Sequence, residues 1–312
     1  MAANPTPPPV CDYEGSDYQT VFWETGQRAY EDRAERHALT HLLPPSGDLF
    51  LEIGAGAGRL TPLLNGFQRV VLLDYSRTQL QQARDRLSAT PHADRYIYVA
   101  ANVYQLPFIS GAFDAASMIR VLHHLADAPL ALQQIRRVLR PNAAFILEYA
   151  NKRNLKAMLR YALGRQSWSP YTPEPVEFVA LNFDFHPRTV NQWLADTGFT
   201  PTARRALSYF RIGLLKRTLP TGLLVAADAL LQPTGAFALY SPSVFVRAHA
   251  SANGPAAPAI TTPLNLFACP HCGHAPLTNH THYLACNCGR HWPIRDGIYN
   301  FKDPLTPEDA TP

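Results

Sequence analysis

The stretch Asp48-Leu49-Phe50-Leu51-Glu52-Ile53-Gly54-Ala55-Gly56-Ala57-Gly58-Arg59-Leu60 decides the fold. An apolar run closes on an acid, three alternating glycines follow, and Arg59, Leu60, Leu63 and Leu64 begin a helical pattern. This order predicts a strand, a tight loop and a helix over about 60–65. Glycines at alternate positions let the loop take positive φ and let a ligand lie against bare backbone, so the stretch reads as a nucleotide-cofactor cradle.

Working outward, residues 69–74 form a second apolar run that ends in an acid, and Ser76 is placed to cap a helix to about 88. Runs at 96–100, 115–121 and 144–149 read as further strands, with a helix over about 128–139 before the last. Strands that alternate with helices argue for a parallel sheet with right-handed crossovers. Upstream, residues 17–43 are helical in pattern and end at Pro44-Pro45; Arg28, Tyr30 and Glu31 on that helix are placed to cover the cleft. Residues 151–185 are irregular and aromatic, with Trp168, Tyr171, Phe178, Phe183 and Phe185 as candidates to line an acceptor pocket. A helix over 188–197, strand-like runs at 203–212 and 243–250, and an apolar, partly helical segment over 214–239 complete this part.

The chain has 312 residues, room for one large domain and a small one. Its net charge of +4 is too weak to argue for nucleic acid. Residues 1–10 carry neither the basic nor the apolar region of a signal peptide, and the apolar run at 222–231 contains Asp228 and falls short of the roughly 20 residues that span a bilayer. Four of the five cysteines cluster near the C-terminus, which suggests a metal site in a reducing compartment; the cytoplasm is expected.

Two cofactor classes compete for the cradle. A dinucleotide fingerprint needs glycine at the sixth position from Gly54, where Arg59 stands. Glu52 at the strand end would repel a pyrophosphate and suits an amino-bearing ligand. Asp74, at the end of the second run, is placed to accept hydrogen bonds from ribose hydroxyls, and Asn102 offers an amide to an adenine edge. Leu106-Pro107-Phe108 reads as an apolar wall.

These segments, with Leu72-Leu73-Asp74-Tyr75-Ser76, Phe113-Asp114, Val121-Leu122-His123-His124-Leu125 and Val138-Leu139-Arg140-Pro141, make residues 18–200 resemble class I S-adenosylmethionine-dependent methyltransferases of the small-molecule, quinone-biosynthesis type. The resemblance implies a Rossmann-like, seven-stranded, mostly parallel sheet with helices on both faces. It also implies that Glu52 and the loop of Gly54, Gly56 and Gly58 carry the methionyl part of S-adenosylmethionine. Asp74 would hold the ribose, Tyr75 would pack on adenine, and Asn102 with Val103 would read its edge. The family usually has Asp where Asn102 stands.

Methyl transfer from a sulfonium needs positioning first, and a base only if the acceptor must lose a proton. His123 and His124 are the candidate bases, with His186 and Glu148 behind them.

Near the C-terminus, Cys269-Pro270-His271-Cys272-Gly273 and Cys286-Asn287-Cys288-Gly289 supply four thiolates, enough for a closed, structural Zn2+ site; His271, His274 or His291 could replace a weak ligand. Arg290-His291-Trp292-Pro293-Ile294-Arg295-Asp296-Gly297-Ile298 makes residues 266–302 resemble the small zinc-binding activator subunit of certain tRNA, rRNA and release-factor methyltransferases. That implies docking of the module on the methyltransferase part, and a module of about forty residues needs metal or a docking face to fold. The expected organisation is a disordered 1–16, a methyltransferase domain over 17–250, a linker over 251–265, a zinc ribbon over 266–303 and a disordered 304–312. The function expected is methylation of a small molecule, aromatic or lipid-like. The alternatives are methylation of RNA or protein, and a non-catalytic scaffold.

Overall fold

The glycine-rich stretch lies at the middle of one large sheet. The computed structural model describes residues 8–16, 19–26, 28–256, 260 and 262–305. In chain order the elements are α1 (Ala29–Leu42), β1 (Gly47–Ile53), β2 (Phe67–Asp74), α2 (Arg77–Leu87), β3 (Tyr96–Ala100), β4 (Phe113–Met118), α3 (Ala128–Val138), β5 (Leu139–Ala150), α4 (Leu155–Ala162), β6 (Val176–Val179), β7 (Asn182–Asp184), α5 (Pro187–Asp196), β8 (Phe199–Leu207), α6 (Gly213–Thr218), α7 (Thr221–Leu231) and β9 (Ser243–Ala250). Four short strands follow: β10 (Thr278–Asn279), β11 (Tyr283–Ala285), β12 (His291–Arg295) and β13 (Ile298–Asn300).

Seven strands form the Rossmann-like core in the order β3-β2-β1-β4-β5-β9-β8. The first five run parallel, and β9 is antiparallel to both its neighbours. The central strands read as unbroken apolar runs because both faces are covered. On one face Leu51, Ile53, Val71 and Val99 pack with α3 and α5; on the other Phe50, Val70, Leu72 and Tyr98 pack with α2, while α1 and α7 cover the β5–β9–β8 side. Helix α3 shows the pattern plainly: Ala128, Ala131, Leu132, Ile135 and Val138 are all buried, spaced for one helical face.

The cysteine-bearing module does not stand apart. Strand β13 pairs in parallel with β3, Ile298 opposite Tyr98 and Asn300 opposite Ala100, so the sheet continues through β12, β11 and β10 to eleven strands. Residues 266–268 lie along 107–109, with Ile109 N donating to the Leu266 carbonyl and Ala268 N to that of Pro107, each at 3.0 Å. Phe267 is fully buried between Phe108, Tyr299 and Phe301. Leu106-Pro107-Phe108, expected as a wall of the cofactor site, is the seat of this module instead.

Two further expectations, the helix after the loop and disorder over 8–16, are corrected. The helix after the glycine loop is a single 3-10 turn, Thr61–Leu63. Pro62 and the turn at Gly66, where a Cβ would lie 2.1 Å from the Pro45 carbonyl oxygen, leave no length for more. Of the N-terminal residues expected to be disordered, 1–7 lie outside the described residues, but 8–16 are tied down. Val10 bridges to Leu125, and the Glu14 carboxylate accepts from Arg77 N, Thr78 N and Thr78 Oγ1 at the start of α2, where helix amides lack partners. The linker, whose residues 257–259 and 261 lie outside the described set, is held where Arg136 donates to Ser251 and Arg69 to the Ile260 carbonyl. Of 304–312, only Pro304 and Leu305 are described, and Leu305 N donates to the His291 carbonyl at 2.7 Å. No helix among the described residues is long and apolar enough to cross a membrane.

Candidate cofactor cleft and cysteine centre

The C-terminal ends of β1, β2 and β4 open onto one cavity, lined by Glu52, Gly54, Gly56, Asp74, Tyr75 and Val103. The loop needs its glycines. Gly54 has φ +68°, and a Cβ there would lie 2.0 Å from Val121 Cγ2. At Gly56, φ +53°, the space a side chain would take is almost open, its nearest neighbour being Gln79 Oε1 at 3.9 Å. Gly58 does not line the cavity; it lets the loop close on Leu87 and Ala83 of α2. Asp74 fastens the loop, accepting from Gly56 N at 2.8 Å and from Ser76 N at 2.9 Å. Ser76 in turn caps α2, accepting from Gln79 N.

Glu52 is buried and accepts from Thr61 Oγ1 at 2.6 Å. Burial pushes its carboxyl up to about 7, against the Thr61 hydrogen bond and the Arg59 charge. Burial also raises Asp74, opposed by the amides of Ser76, Gly56 and Tyr75 and by Lys302. A buried acid near half-protonation gains its charge when a cation arrives beside it. Gln79 adds a buried acceptor, Oε1, with no hydrogen-bond partner among the described residues.

An arginine pair that sequence reasoning missed borders the cavity. Glu35, fully buried on α1, accepts from Arg59 Nη2 and from Arg120 Nε, each at 2.6 Å. Burial would raise this carboxyl, but Arg120 and Arg59 hold it below the ordinary range. Arg59 also pairs with Asp32, and Trp23 stacks beneath both guanidinium groups, 3.8 Å from Arg59 and 5.1 Å from Arg120. Arg120 sits at φ +58°, a strained conformation for its type, held by its amide donating to Glu148 at 2.9 Å. The leading helix is expected to cover the cleft, but no residue of α1 lines it; the N-terminal residues that do so lie ahead of α1. Tyr30 donates to Asp228, Glu31 accepts from Lys216, and Gln19 and Trp23 reach the cavity.

Of the four candidate bases, only His124 lines the cavity. Its Nδ1 lies 3.0 Å from the Leu181 carbonyl oxygen, which can only accept, so Nδ1 carries the proton and Nε2 accepts from the Tyr13 hydroxyl at 3.2 Å. Burial lowers the His124 pKa, so the ring is neutral at neutral pH. His123 does not line the cavity, and burial, with His124 and Arg120 nearby, takes its pKa well below the ordinary value. His186 caps α5, accepting from Arg188 N, and Glu148 accepts from Ser243 Oγ and Arg120 N. Asn102 departs from expectation as well. It does not line the cavity, because its Oδ1 turns back to accept from Tyr104 N at 2.9 Å.

In the C-terminal module the Sγ atoms of Cys269, Cys272, Cys286 and Cys288 all lie within 4.8 Å of one another. Cys272 and Cys286 are 3.4 Å apart, Cys269 and Cys288 3.9 Å. Zn–S bonds of about 2.3 Å in a tetrahedron separate sulfurs by about 3.8 Å, so the set fits the metal. Gly273 and Gly289 follow their cysteines at φ +74° and +85°, giving the tight turns both halves need. Among the described residues no histidine joins this cluster; His291 stacks on Tyr283.

Residues 51–147 match the methyltransferase domain family. The chain also aligns with 2-phytyl-1,4-naphtoquinone methyltransferase of Trichormus variabilis, 37% identical over 113 residues, 35% of this chain and 49% of that protein. Demethylmenaquinone methyltransferase of Symbiobacterium thermophilum is 33% identical over 135 residues, 42% and 50% of the two chains. The chain thus spans about half the length of the curated relatives it matches. A chain in the solved complex between the Haloferax volcanii Trm112 methyltransferase activator and a methyltransferase is similar with a TM-score of 0.53 at 16% identity, over 77% of this chain and 100% of that one. At that identity the likeness is one of fold.

Proposed function

We propose that this chain transfers a methyl group from S-adenosylmethionine to a small-molecule acceptor of aromatic or lipid-like character. The observation that carries the reading is the convergence of Glu52, the Gly54–Gly56 backbone, Asp74 and Tyr75 on one cavity, within a segment that matches the methyltransferase family. Glu52 would take the ammonium of the methionyl part, the open face of Gly56 would take its chain, and Asp74 the ribose hydroxyls. The unpartnered Gln79 Oε1 suits a ligand donor. The bound sulfonium supplies an already activated methyl, which leaves its sulfur as the new bond to the acceptor forms in line. The protein's own work is orientation and exclusion of water. Where the acceptor carries a proton, His124 Nε2 is the group placed to receive it, handed on through Tyr13.

Relatives named for naphthoquinone and menaquinone precursors support a quinone-like acceptor. The four cysteines would hold one structural zinc, which closes the module docked on β3 and fits a reducing compartment such as the cytoplasm. The test is transfer of labelled methyl to a panel of hydroxylated naphthoquinones with prenyl tails of different length. Labelled product, lost with Glu52→Gln, supports the reading; labelling of RNA or protein instead, with no quinone product, contradicts it.

A further inference from the structure

The chain segments that lie between β5 and β9 in sequence expose several large apolar side chains. In α4 only Ala157 is buried, while Leu155 is 65% exposed and Leu159 follows one turn later on the same face. On α6 Leu214 is 70% exposed, at the end of α7 Leu230 is 82% exposed, and Phe237 beyond it is 81% exposed. Helix α4 adjoins the segment that follows α7, and α6 leads into α7 along the chain. Leu155 N donates to the Tyr240 carbonyl at 2.8 Å, and the Arg153 guanidinium lies 5.6 Å from the Tyr240 ring, which joins α4 to the segment after α7.

The exposed charges on α4, α6 and α7 are all basic: Lys156 and Arg160 on α4 and Arg217 on α6. The one acid on these helices, Asp228 of α7, is fully buried and accepts from Tyr30. Lys156 and Arg160 each follow an exposed leucine by one residue, and Arg217 is exposed beside Leu214 on α6. Apolar side chains fringed by cations on short helices are the make-up of a segment that lies in a lipid interface. A two-fold pairing of the face with a second copy would bring its cations together, whereas an anionic bilayer complements them.

We propose that this face, formed by α4, α6, α7 and Phe237, seats the protein on an anionic lipid surface. The link from the chain around this face to the cleft runs through β6 and the turn after it. The turn that carries exposed Phe178 and Val179 continues into Leu181, whose carbonyl holds His124 at the cavity. An acceptor with an apolar tail would then enter from the bilayer without crossing water. What enters rests on the methyltransferase reading; that the face binds lipid does not.

The test is sedimentation of the full chain with vesicles of phosphatidylcholine alone and of phosphatidylcholine with phosphatidylglycerol. The mixed vesicles should bind the protein and the neutral ones only weakly, with the difference shrinking as salt rises. Leu230→Asp with Phe237→Asp should lose binding at least tenfold. Lys156→Gln with Arg160→Gln should lose about fivefold per charge. None of these should alter S-adenosylmethionine binding measured in the same samples, which separates failure of the surface from failure of the cofactor site. Equal affinity of the variants and the parent for mixed vesicles would overturn the proposal. So would a dimer by light scattering that ignores vesicles and is broken by Leu230→Asp, since that outcome assigns the face to a second copy.

Discussion

The ammonium of Lys302 lies 4.0 Å from the centroid of the Tyr75 ring. One residue belongs to the cysteine-bearing module and the other lines the cleft, so the module reaches the wall of the site it is docked beside. Lys302 also lies 3.6 Å from the Glu14 carboxylate, which ties the N-terminal strap to the same point.

Lys302→Ala should weaken S-adenosylmethionine binding about two- to fivefold. The basis is a lost cation–π contact of about 0.5–1 kcal/mol and a less rigid Tyr75. Calorimetric titration of the two proteins checks this; unchanged affinity would assign Lys302 to docking alone.

Metal analysis should give about one zinc per chain, and Cys272→Ser or strong chelation should lower the melting temperature by many degrees. The loss should spread beyond the module. Without β13 the edge of β3 and the apolar surfaces around Phe108 and Phe267 meet water. A chelated protein that melts at the parent temperature would contradict this.

Glu52→Gln should lower S-adenosylmethionine affinity about ten- to a hundredfold, the worth of a hydrogen bond to a charged group. It should also stabilise the ligand-free protein at pH 8. Burial raises the folded carboxyl from 4.5 to about 7, so between those values the folded state holds the proton that the unfolded state has lost. Stability therefore falls as pH rises through that window and stays lower above it, by about 1–3 kcal/mol. The Glu52→Gln gain should be present at pH 8 and absent at pH 4 in urea melts.

Glu35→Gln should destabilise the protein by about 3–5 kcal/mol. It leaves Arg59 and Arg120 sharing a buried site without their common counter-charge. Urea denaturation at neutral pH measures this directly.

Activity that uses His124 should keep its acid limb below the ordinary histidine range. The ring is neutral in the fold, and protonation, which removes its acceptor lone pair, comes only at lower pH. A pH–rate profile with an acid limb at or above 6.5 would point to another group.

The sheet and the loop were legible because the strands are unbroken apolar runs punctuated by Glu52, Asp74 and glycines, and because Ser76 caps α2 from within its own sequence. The cysteine turns were legible for the same local reason, through Gly273 and Gly289. What sequence hid was pairing at a distance. Glu14 caps a helix 63 residues downstream, and Glu35 holds Arg120 across 85 residues; neither leaves a periodic trace. The place of Asn102 and Leu106-Pro107-Phe108 after β3 suits a cofactor site, which is why sequence alone points them there. A short Asx turn and the docked module claim them instead.

The central claim is that the loop at Gly54–Gly58, with Glu52 and Asp74, holds S-adenosylmethionine. Isothermal titration of the full chain with S-adenosylmethionine and with S-adenosylhomocysteine tests it most directly. The account predicts saturable one-to-one binding of both, lost when Gly56→Val fills the open face of the loop; no heat with either ligand from folded protein would contradict it.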